Sequence, residues 1–256
     1  MSVLLSELDQ GVLTLTLNRP EAINAFNTAM LQGLAQTMRD AAENPEVRVV
    51  VVRGAGRGFC SGQDLREFEG KTISYKAHLK NYAGAIAGIA TLDKPVIAAV
   101  HGAAAGAGLS LALACDLRIA ASDAVLTTGF SRIALIPDAG MSYHLPRIVG
   151  QAKAFELMAL SPRLNAEQAL ELGLVNRVVG IESFAEEVHK LALELAQGPT
   201  RTFGLIKQAL RESATSSLEE MLDVEAELQD IAGLTEDHKE GVAAFYEKRA
   251  PRFSGR

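Results

Sequence analysis

The chain has 256 residues, 48% of them hydrophobic and 22% charged, so it is long enough for one large folded domain and is not a small disulfide-held module. Its formal net charge of -6, without any run of lysines and arginines, argues against nucleic acid as a partner. Two cysteines, Cys60 and Cys115, fit neither a disulfide framework nor a metal-ligand spacing, which predicts a reducing compartment and no bound metal.

The first third of the chain predicts strands that alternate with a helix. The opening "VLLSELDQGVLTLTLNRP" predicts a hairpin around Gly11, because apolar residues alternate after the turn. Asn27 is expected to cap a helix whose apolar residues recur at helical spacing and which ends before Pro45. The continuous apolar runs "VRVVVVRG" and "KPVIAAV" predict strands that are buried on both faces of a sheet. No apolar run reaches the roughly 18 residues of a membrane span and no signal peptide is evident, so we expect a soluble cytoplasmic protein with no membrane partner.

The rest of the chain predicts an α/β core followed by helices. The loop "GAGRGFCSGQDLREF" ends where Asp64 and Glu67 can form a capping pair on a new helix. Short strands in "LRIAA" and "AVLTT" precede a loop at "ALIPDAGMS" and helices around 152–160 and 166–172. The pattern beyond Glu182 is almost purely helical. We therefore predict a core over 1–197 and a C-terminal helical region over 198–256 that packs on neighbouring subunits.

Two glycine-rich segments, "FCSGQDL" and "AAAGAGL", each stand where a buried strand passes into a helix. Gly106 and Gly108 match the first two glycines of a dinucleotide-binding fingerprint, but Leu111 occupies the third position, and no Gly-Lys-Ser/Thr completes a phosphate-binding loop. One interpretation is that these glycines only permit close helix packing. The other is that two adjacent strand ends each direct a backbone N–H at one oxygen atom, which would form an oxyanion hole.

Several segments in order along the chain carry a family resemblance. The segments "NRPEAINAFN", "GRGFCSGQDL", "KPVIAAVHGAAAGAGLSLALACDLRIA", "IPDAG" and "DHKEGVAAFYEKRAPRF" resemble the crotonase, or enoyl-CoA hydratase/isomerase, superfamily. The resemblance implies an α/β crotonase spiral of ββα units and a C-terminal helical region that builds homotrimers, often paired into hexamers. It also implies an acyl-CoA thioester as substrate, with coenzyme A bound as part of that substrate and no separate cofactor.

The resemblance assigns roles to particular residues. The backbone N–H groups of Gln63 and Ala107 would hold the thioester carbonyl oxygen. Coenzyme A would contact the following residues: Ala22, Ala25, Ser61, Gly62, Gln63, Asp64, Leu65, Gly106, Gly108, Phe245 and Lys248. Two of these have a plain structural alternative, since Asp64 also suits a helix cap and Lys248 also suits ordinary surface charge.

The same resemblance bears on the reaction. Family hydratases use two glutamates to activate and deliver water, and Ser110 and Phe130 stand at those positions here. Asp138 in "LIPDAG" is the remaining carboxylate, although aspartate also suits a turn after proline. A single base suits isomerisation, which moves a proton between carbons without adding water. The likeness is greatest to members that isomerise the ring epoxide of a phenylacetyl thioester in phenylacetate degradation.

Other interpretations stay open at this point. The chain is also compatible with a broad-specificity enoyl-CoA hydratase, with a hydrolase or dehalogenase in which Asp138 attacks as a nucleophile, or with a non-catalytic acyl-CoA-binding subunit. Tyr143 and His144 follow the Asp138 loop and suit either the border of an acyl pocket or the start of the next segment. We expect structural roles for His101, for Asp116 and for both cysteines.

Overall fold

The computed structural model describes residues 2–70, 72 and 74–256. Within these residues the strands are β1 (Leu4–Asp9), β2 (Val12–Leu17), β3 (Val49–Gly54), β4 (Val96–Val100), β5 (Ala103–Ala105), β6 (Leu117–Ala121), β7 (Val125–Thr127), β8 (Leu164–Asn165) and β9 (Arg177–Val179). The α-helices are α1 (Thr28–Glu43), α2 (Tyr75–Thr91), α3 (Ala107–Ala114), α4 (Met141–Val149), α5 (Gln151–Leu160), α6 (Ala166–Glu171), α7 (Phe184–Ala196), α8 (Thr200–Glu212), α9 (Leu218–Gly233) and α10 (Glu236–Glu247). In this part of the chain no helix is long and apolar enough to cross a membrane.

The main sheet has six strands in the order β1-β2-β3-β4-β6-β9. β1 and β2 pair antiparallel around a two-residue turn in which Gln10 and Gly11 both have positive φ, so the predicted hairpin is confirmed. The other neighbours pair parallel. Asn27 accepts a hydrogen bond from the N–H of Met30 at the start of α1, which confirms the predicted cap.

Both faces of the main sheet are buried, which explains the continuous apolar runs of its central strands. Val50 and Val52 of β3 lie in the larger core cluster, beneath α1, α2 and α3. Val49 and Val51, which alternate with them, lie in a second cluster that α7 covers on the opposite face. The alternation of strands and helices through β9 confirms the predicted α/β class.

A second sheet of three strands, β5-β7-β8, carries the approach to α3. β5 consists of Ala103–Ala105, which the sequence predicted as part of a glycine- and alanine-rich junction rather than as a strand. Alanine has a low intrinsic preference for strands, so the pairing of β5 with β7, and its single bridge from Ala104 to Cys60, impose this conformation.

The C-terminal helices begin as predicted, after the Gly198-Pro199 link that separates α7 from α8. However, α8 also packs on the core, because Lys207 Nζ lies 2.6 Å from the Asp116 carboxylate and Gly204 lies against the backbone of Asp93. The structural role expected for Asp116 agrees with this ion pair. α9, α10 and the link between them expose several large apolar side chains: Leu218, Leu222, Leu234, Phe245 and Tyr246. The division at 197/198 and the assembly of this region into trimers or hexamers stay predictions.

Candidate active site

Two backbone segments meet where β3 and β4 give way to loops and α3. The N–H of Cys60 donates to the carbonyl of Ala103 at 3.0 Å, and the N–H of Ala105 donates to the carbonyl of Cys60 at 2.9 Å. These two bonds place the segment that leads to Gln63 alongside the segment that leads to Ala107. The two glycine-rich junctions are therefore neighbours in space.

Glycines permit the close approach of the two segments. A Cβ atom on Gly108 would lie 2.3 Å from the carbonyl oxygen of Cys60, a distance that real side chains do not adopt. Gly62 has a φ of +98°, and a Cβ atom there would lie 3.4 Å from the amide nitrogen of Ala107. The close packing that one interpretation of these glycines predicted is present, and the same packing brings Gln63 near Ala107.

The backbone N–H groups of Gln63 and Ala107 are available to a ligand. Phe26 donates to the carbonyl of Gly62 at 2.7 Å and accepts from the N–H of Asp64 at 2.9 Å, so the N–H of Gln63 between them faces the opposite side. Ala107 is the first residue of α3, where an N–H has no acceptor within its own helix. Among the described residues, neither N–H donates a hydrogen bond. The partial positive charge at the start of α3 favours a negatively charged oxygen here.

Both donors open onto one space of about 230 Å³, which we call the Asp138 cavity. Its wall includes these predicted site residues: Ser61, Gly62, Gln63, Leu65, Gly106, Ala107 and Asp138. The rest of the wall is mostly apolar and aromatic: Phe68, Tyr75, His78, Tyr82, Ala105, Gly129, Phe130, Ile133 and Leu135. This volume lies just below the range of about 300 to 1,000 Å³ found for the sites of drug-sized ligands, and it suits a compact acyl group.

Asp138 presents an unpaired carboxylate to this cavity. Its backbone belongs to a turn, since its carbonyl accepts from the N–H of Met141 at 3.0 Å and from Ser110 Oγ at 2.9 Å. The side chain takes no part in that turn, because the carboxylate makes no hydrogen bond or ion pair with any described residue. Burial raises the pKa of Asp138 to about 6. A half-buried carboxylate with this pKa, on the same cavity wall as Gln63 and Ala107, can take up and return a proton near neutral pH.

The two positions where family hydratases carry glutamate hold no acid. Ser110 is fully buried and its hydroxyl is used internally, while Phe130 contributes its ring to the cavity wall. Among the described residues on that wall, Asp138 is the only one with a carboxylate. The described part of the wall therefore carries one carboxylate rather than a pair.

The predicted coenzyme A contacts around Ala22 and Ser61 lie together beside the cavity. Ser61 Oγ donates to the carbonyl of Ala22 at 3.0 Å, and the N–H of Ser61 donates to the carbonyl of Ile23 at 2.9 Å. Ala25 is buried, and its carbonyl accepts from Arg19 at 2.7 Å. Leu65 is 53% exposed at the rim. Their contact with coenzyme A stays a prediction.

The carboxylate of Asp64 is structural, as its alternative interpretation expected. It pairs with Arg19 and Arg66, each at 2.8 Å, and these guanidinium groups hold its pKa well below the usual range. It also accepts from the N–H of Arg66, at the start of a 3-10 turn over Leu65–Phe68.

The predicted capping pair of Asp64 and Glu67 is confirmed for Asp64 and wrong for Glu67. Asp64 caps a short 3-10 helix over Leu65–Phe68, and the next α-helix begins at Tyr75. Glu67 does not reach back to Asp64, because its carboxylate accepts from the N–H of Thr28 and from the side chain of Gln63.

Four residues that the sequence placed near the acyl or coenzyme A sites lie elsewhere in this chain. Phe245 is 79% exposed on α10, Lys248 ends that helix, and neither lines the Asp138 cavity. Tyr143 and His144 line a separate cleft of about 680 Å³ between α2 and α8. The roles of Phe245 and Lys248 toward coenzyme A stay predictions.

The remaining candidates are structural in the described residues. His101 Nε2 lies 3.0 Å from the carbonyl oxygen of Gly56, outside the Asp138 cavity. Cys60 and Cys115 are buried, which raises the pKa of each thiol to about 12. The main feature missing from the predicted site is one face of α2. The spacing of Tyr75, His78 and Tyr82 at i, i+3 and i+7 is the signal that could have identified it.

Known proteins are similar to this chain along nearly its whole length. The model of the enoyl-CoA hydratase/isomerase family matches residues 7–256. The chain is 43% identical over 261 residues to 1,2-epoxyphenylacetyl-CoA isomerase of Escherichia coli (strain K12), with 100% of both chains covered. It is 37% identical to 2,3-dehydroadipyl-CoA hydratase of the same organism, again with 100% of both covered. Among solved structures, enoyl-CoA hydratase from Bacillus anthracis matches with a TM-score of 0.95 at 33% identity, covering 99% of this chain and 100% of that one.

Proposed function

The chain belongs to the enoyl-CoA hydratase/isomerase family of enzymes that act on CoA thioesters, and we propose that within it this protein is an isomerase. The observation that carries the proposal is the single carboxylate of Asp138 on the wall of the Asp138 cavity. Hydration needs one group to activate water and another to deliver a proton, whereas a shift of a proton between two carbons needs one base that returns what it takes.

In the proposed reaction, a β,γ-enoyl thioester binds with its carbonyl oxygen between the N–H groups of Gln63 and Ala107. Asp138 removes a proton from the α carbon, and the electron pair moves onto the thioester oxygen, where the two N–H donors stabilise the enolate. The protonated Asp138 then returns the same proton to the γ carbon, so that the double bond moves into conjugation with the carbonyl. Nothing is added or lost. Donors of this kind typically contribute about 100 to 1,000-fold each to the rate.

We further propose that the acyl group is a ring that carries an epoxide, which the enzyme converts to an oxepin. In this ring expansion the bond between the two epoxide carbons breaks and the ring double bonds shift, so the oxepin has the same composition as the epoxide. The conjugated product then forms by the same transfer of a proton from the α carbon to the γ carbon. Two observations support this substrate. The relative with 43% identity is named for an epoxyphenylacetyl thioester. In addition, Phe68, Tyr75, Tyr82 and Phe130 give the cavity an aromatic lining that suits a flat ring.

A second candidate is an enoyl-CoA hydratase, because other relatives carry that name, including a Rhodobacter capsulatus protein that is 40% identical and named as a probable enoyl-CoA hydratase. The two functions are separated by assaying the purified protein with a ring-epoxide phenylacetyl thioester, a β,γ-enoyl thioester and crotonyl-CoA. We expect isomerisation of the first two. We expect crotonyl-CoA hydration to be at least about 100-fold slower, since general acid–base groups contribute about 100 to 10,000-fold each. Hydration as fast as isomerisation would contradict the proposal.

The raised pKa of Asp138 predicts the pH dependence of isomerisation. Only the ionised carboxylate can accept the α proton, so kcat/KM should fall about tenfold per pH unit below about 6 and be constant above it. The measurement is kcat/KM of β,γ-isomerisation between pH 4.5 and 8. Because phosphate also titrates near pH 6, the control is a pantetheine thioester that lacks the nucleotide. An inflection that disappears with this substrate would assign the titration to the nucleotide phosphate. A kcat/KM that stays constant down to pH 4.5 would contradict the raised pKa of Asp138.

A further inference from the structure

The side-chain amide of Gln63 is held by three other side chains. The hydroxyl of Tyr82 donates to Gln63 Oε1 at 2.5 Å, and His78 Nε2 lies 3.1 Å from the same oxygen. Gln63 Nε2 donates to the carboxylate of Glu67 at 3.0 Å. We call Glu67, His78 and Tyr82 the Gln63 clamp.

The chemistry of the Gln63 clamp permits one orientation of its members. An ionised carboxylate only accepts hydrogen bonds, so the NH₂ group of the amide must face Glu67 and its oxygen must face Tyr82 and His78. That oxygen only accepts as well, so the proton of the neutral His78 ring lies on Nε2. Burial lowers the pKa of His78, which favours the neutral ring. All three bonds are therefore satisfied together, without competition between donors.

The Gln63 clamp holds Gln63 from the side opposite to its backbone contacts with Phe26. On one side, the peptide groups that flank Gln63 bond to the backbone of Phe26. On the other side, the clamp ties its side chain to α2 through Tyr82, which is 3% exposed. The ring of Tyr82 packs edge-on against Phe26, with 5.7 Å between ring centroids, so the two supports also touch each other. Neither support uses the backbone N–H of Gln63, which stays available to a ligand.

We propose that Glu67, His78 and Tyr82 are positioning residues, which hold the Gln63 N–H so that it and the Ala107 N–H meet one thioester oxygen. This inference rests on the proposed function, because it takes those two N–H groups as the oxyanion donors. Catalysis depends steeply on such placement, since a displacement of about 1 Å can cost about 100-fold in rate. His78 and Tyr82 also line the Asp138 cavity, so the test removes only the hydrogen bond to Gln63 and keeps the ring that forms the wall. Loss of that bond should lower kcat while substrate binding persists.

The first test removes one hydroxyl from the clamp. Tyr82→Phe keeps the ring and its contact with Phe26 but deletes the donor to Gln63. We expect kcat to fall about tenfold, with KM within about twofold and the pH profile unchanged, because Asp138 is untouched. The matched control is Tyr143→Phe, which deletes the same group from a side chain that is 47% exposed and lies outside the Asp138 cavity. A kcat for Tyr82→Phe equal to that of the control would overturn the proposal.

The second test does not need turnover. Phenylacetyl-CoA labelled with ¹³C at the carbonyl carbon is bound to the protein, and its carbonyl stretch is measured by infrared difference spectroscopy. Two well-placed donors should shift the band to lower frequency, and Tyr82→Phe should reverse part of that shift. If the parent protein isomerises no thioester but shows this response, the proposed function fails and the clamp stands. An identical band in parent and Tyr82→Phe would refute the clamp, whatever the activity.

A third variant guards against misfolding of Tyr82→Phe. Gln63→Met keeps the backbone N–H and the length of the side chain but removes every bond of the clamp. Its kcat should be at least as low as that of Tyr82→Phe, and the double variant should be no slower than Gln63→Met alone, because both act through one side chain. Losses that multiply would show that Tyr82 acts elsewhere. A Gln63→Met protein with the parent's kcat and carbonyl band would also exclude the clamp.

Discussion

Replacing Asp138 by Asn is expected to lower kcat for both proposed isomerisations by about 1,000-fold, within the range of about 100 to 10,000-fold for loss of a general base. The amide has nearly the shape of the carboxylate but cannot accept the α proton. Affinity for a CoA thioester should change by less than a factor of about three, because both oxyanion donors belong to the backbone of other segments. Steady-state turnover measures kcat, and equilibrium binding of phenylacetyl-CoA measures the affinity. The control is Asp223→Asn, which makes the same change on the exposed surface of α9.

Thermal unfolding of the same variant shows whether lost activity reflects lost structure. Burial raises the pKa of Asp138 from 3.8 to about 6, so the ionised form destabilises the fold above pH 6, and this cost disappears below pH 4. Asp138→Asn should therefore melt a few degrees higher than the parent at pH 8 and at the same temperature at pH 4. An inactive variant that melts lower at pH 8 would point to misfolding. Full turnover by a well-folded variant would remove Asp138 from the mechanism.

Replacing Gly108 by Ala is expected to lower kcat by about 100 to 1,000-fold, the typical effect of losing one oxyanion donor. The new methyl group would lie 2.3 Å from the carbonyl oxygen of Cys60 and 2.7 Å from its Cβ atom, so the two segments must separate. Since Ala107 precedes the substituted residue, its N–H moves with them. Overpacking of this kind also costs about 1 to 3 kcal/mol of unfolding free energy.

Two further glycine variants separate donor geometry from general instability. Gly233→Ala introduces the same methyl group at the end of α9, where no atom lies within 4 Å, and it should leave kcat unchanged. Gly106→Ala meets no close atom, but its φ of +53° strains any residue with a side chain. We expect the kcat of Gly106→Ala to lie between those of Gly108→Ala and Gly233→Ala. A Gly108→Ala protein that turns over like Gly233→Ala would show that the approach of the two segments does not matter for catalysis.

The fold was largely predictable, because most of its elements are specified locally. The Gly11 turn, the Asn27 cap and the alternating burial of Val49 through Val52 each leave a signature within a few neighbouring residues. The strand at Ala103–Ala105 has no such local signature, since its conformation depends on pairing with β7 and Cys60, which are distant in sequence. The helix α4 was also missed, because its start at Met141 lies within the predicted loop after Asp138.

The site was predictable in its backbone and less so in its side chains. The glycine pattern indicated the two junctions, and the family resemblance then assigned Gln63 and Ala107 within them. The Gln63 clamp was not visible, because Tyr82 and Gln63 are separated by 19 positions and their contact depends on how α2 packs on α1. The capping pair of Asp64 and Glu67 failed for a related reason. Glu67 accepts from the N–H of Thr28, which is 39 positions away, instead of reaching back to Asp64.

The proposed oxyanion donors at Gln63 and Ala107 are peptide N–H groups rather than side chains. A codon change at either position replaces a side chain but leaves the N–H in place, so this half of the site is largely insulated from mutation. Positions 110, 130 and 138 contribute side chains instead, so substitutions there change the acid and base groups while both N–H groups persist. A protein with this fold can therefore change from adding water to moving a proton between carbons through very few substitutions.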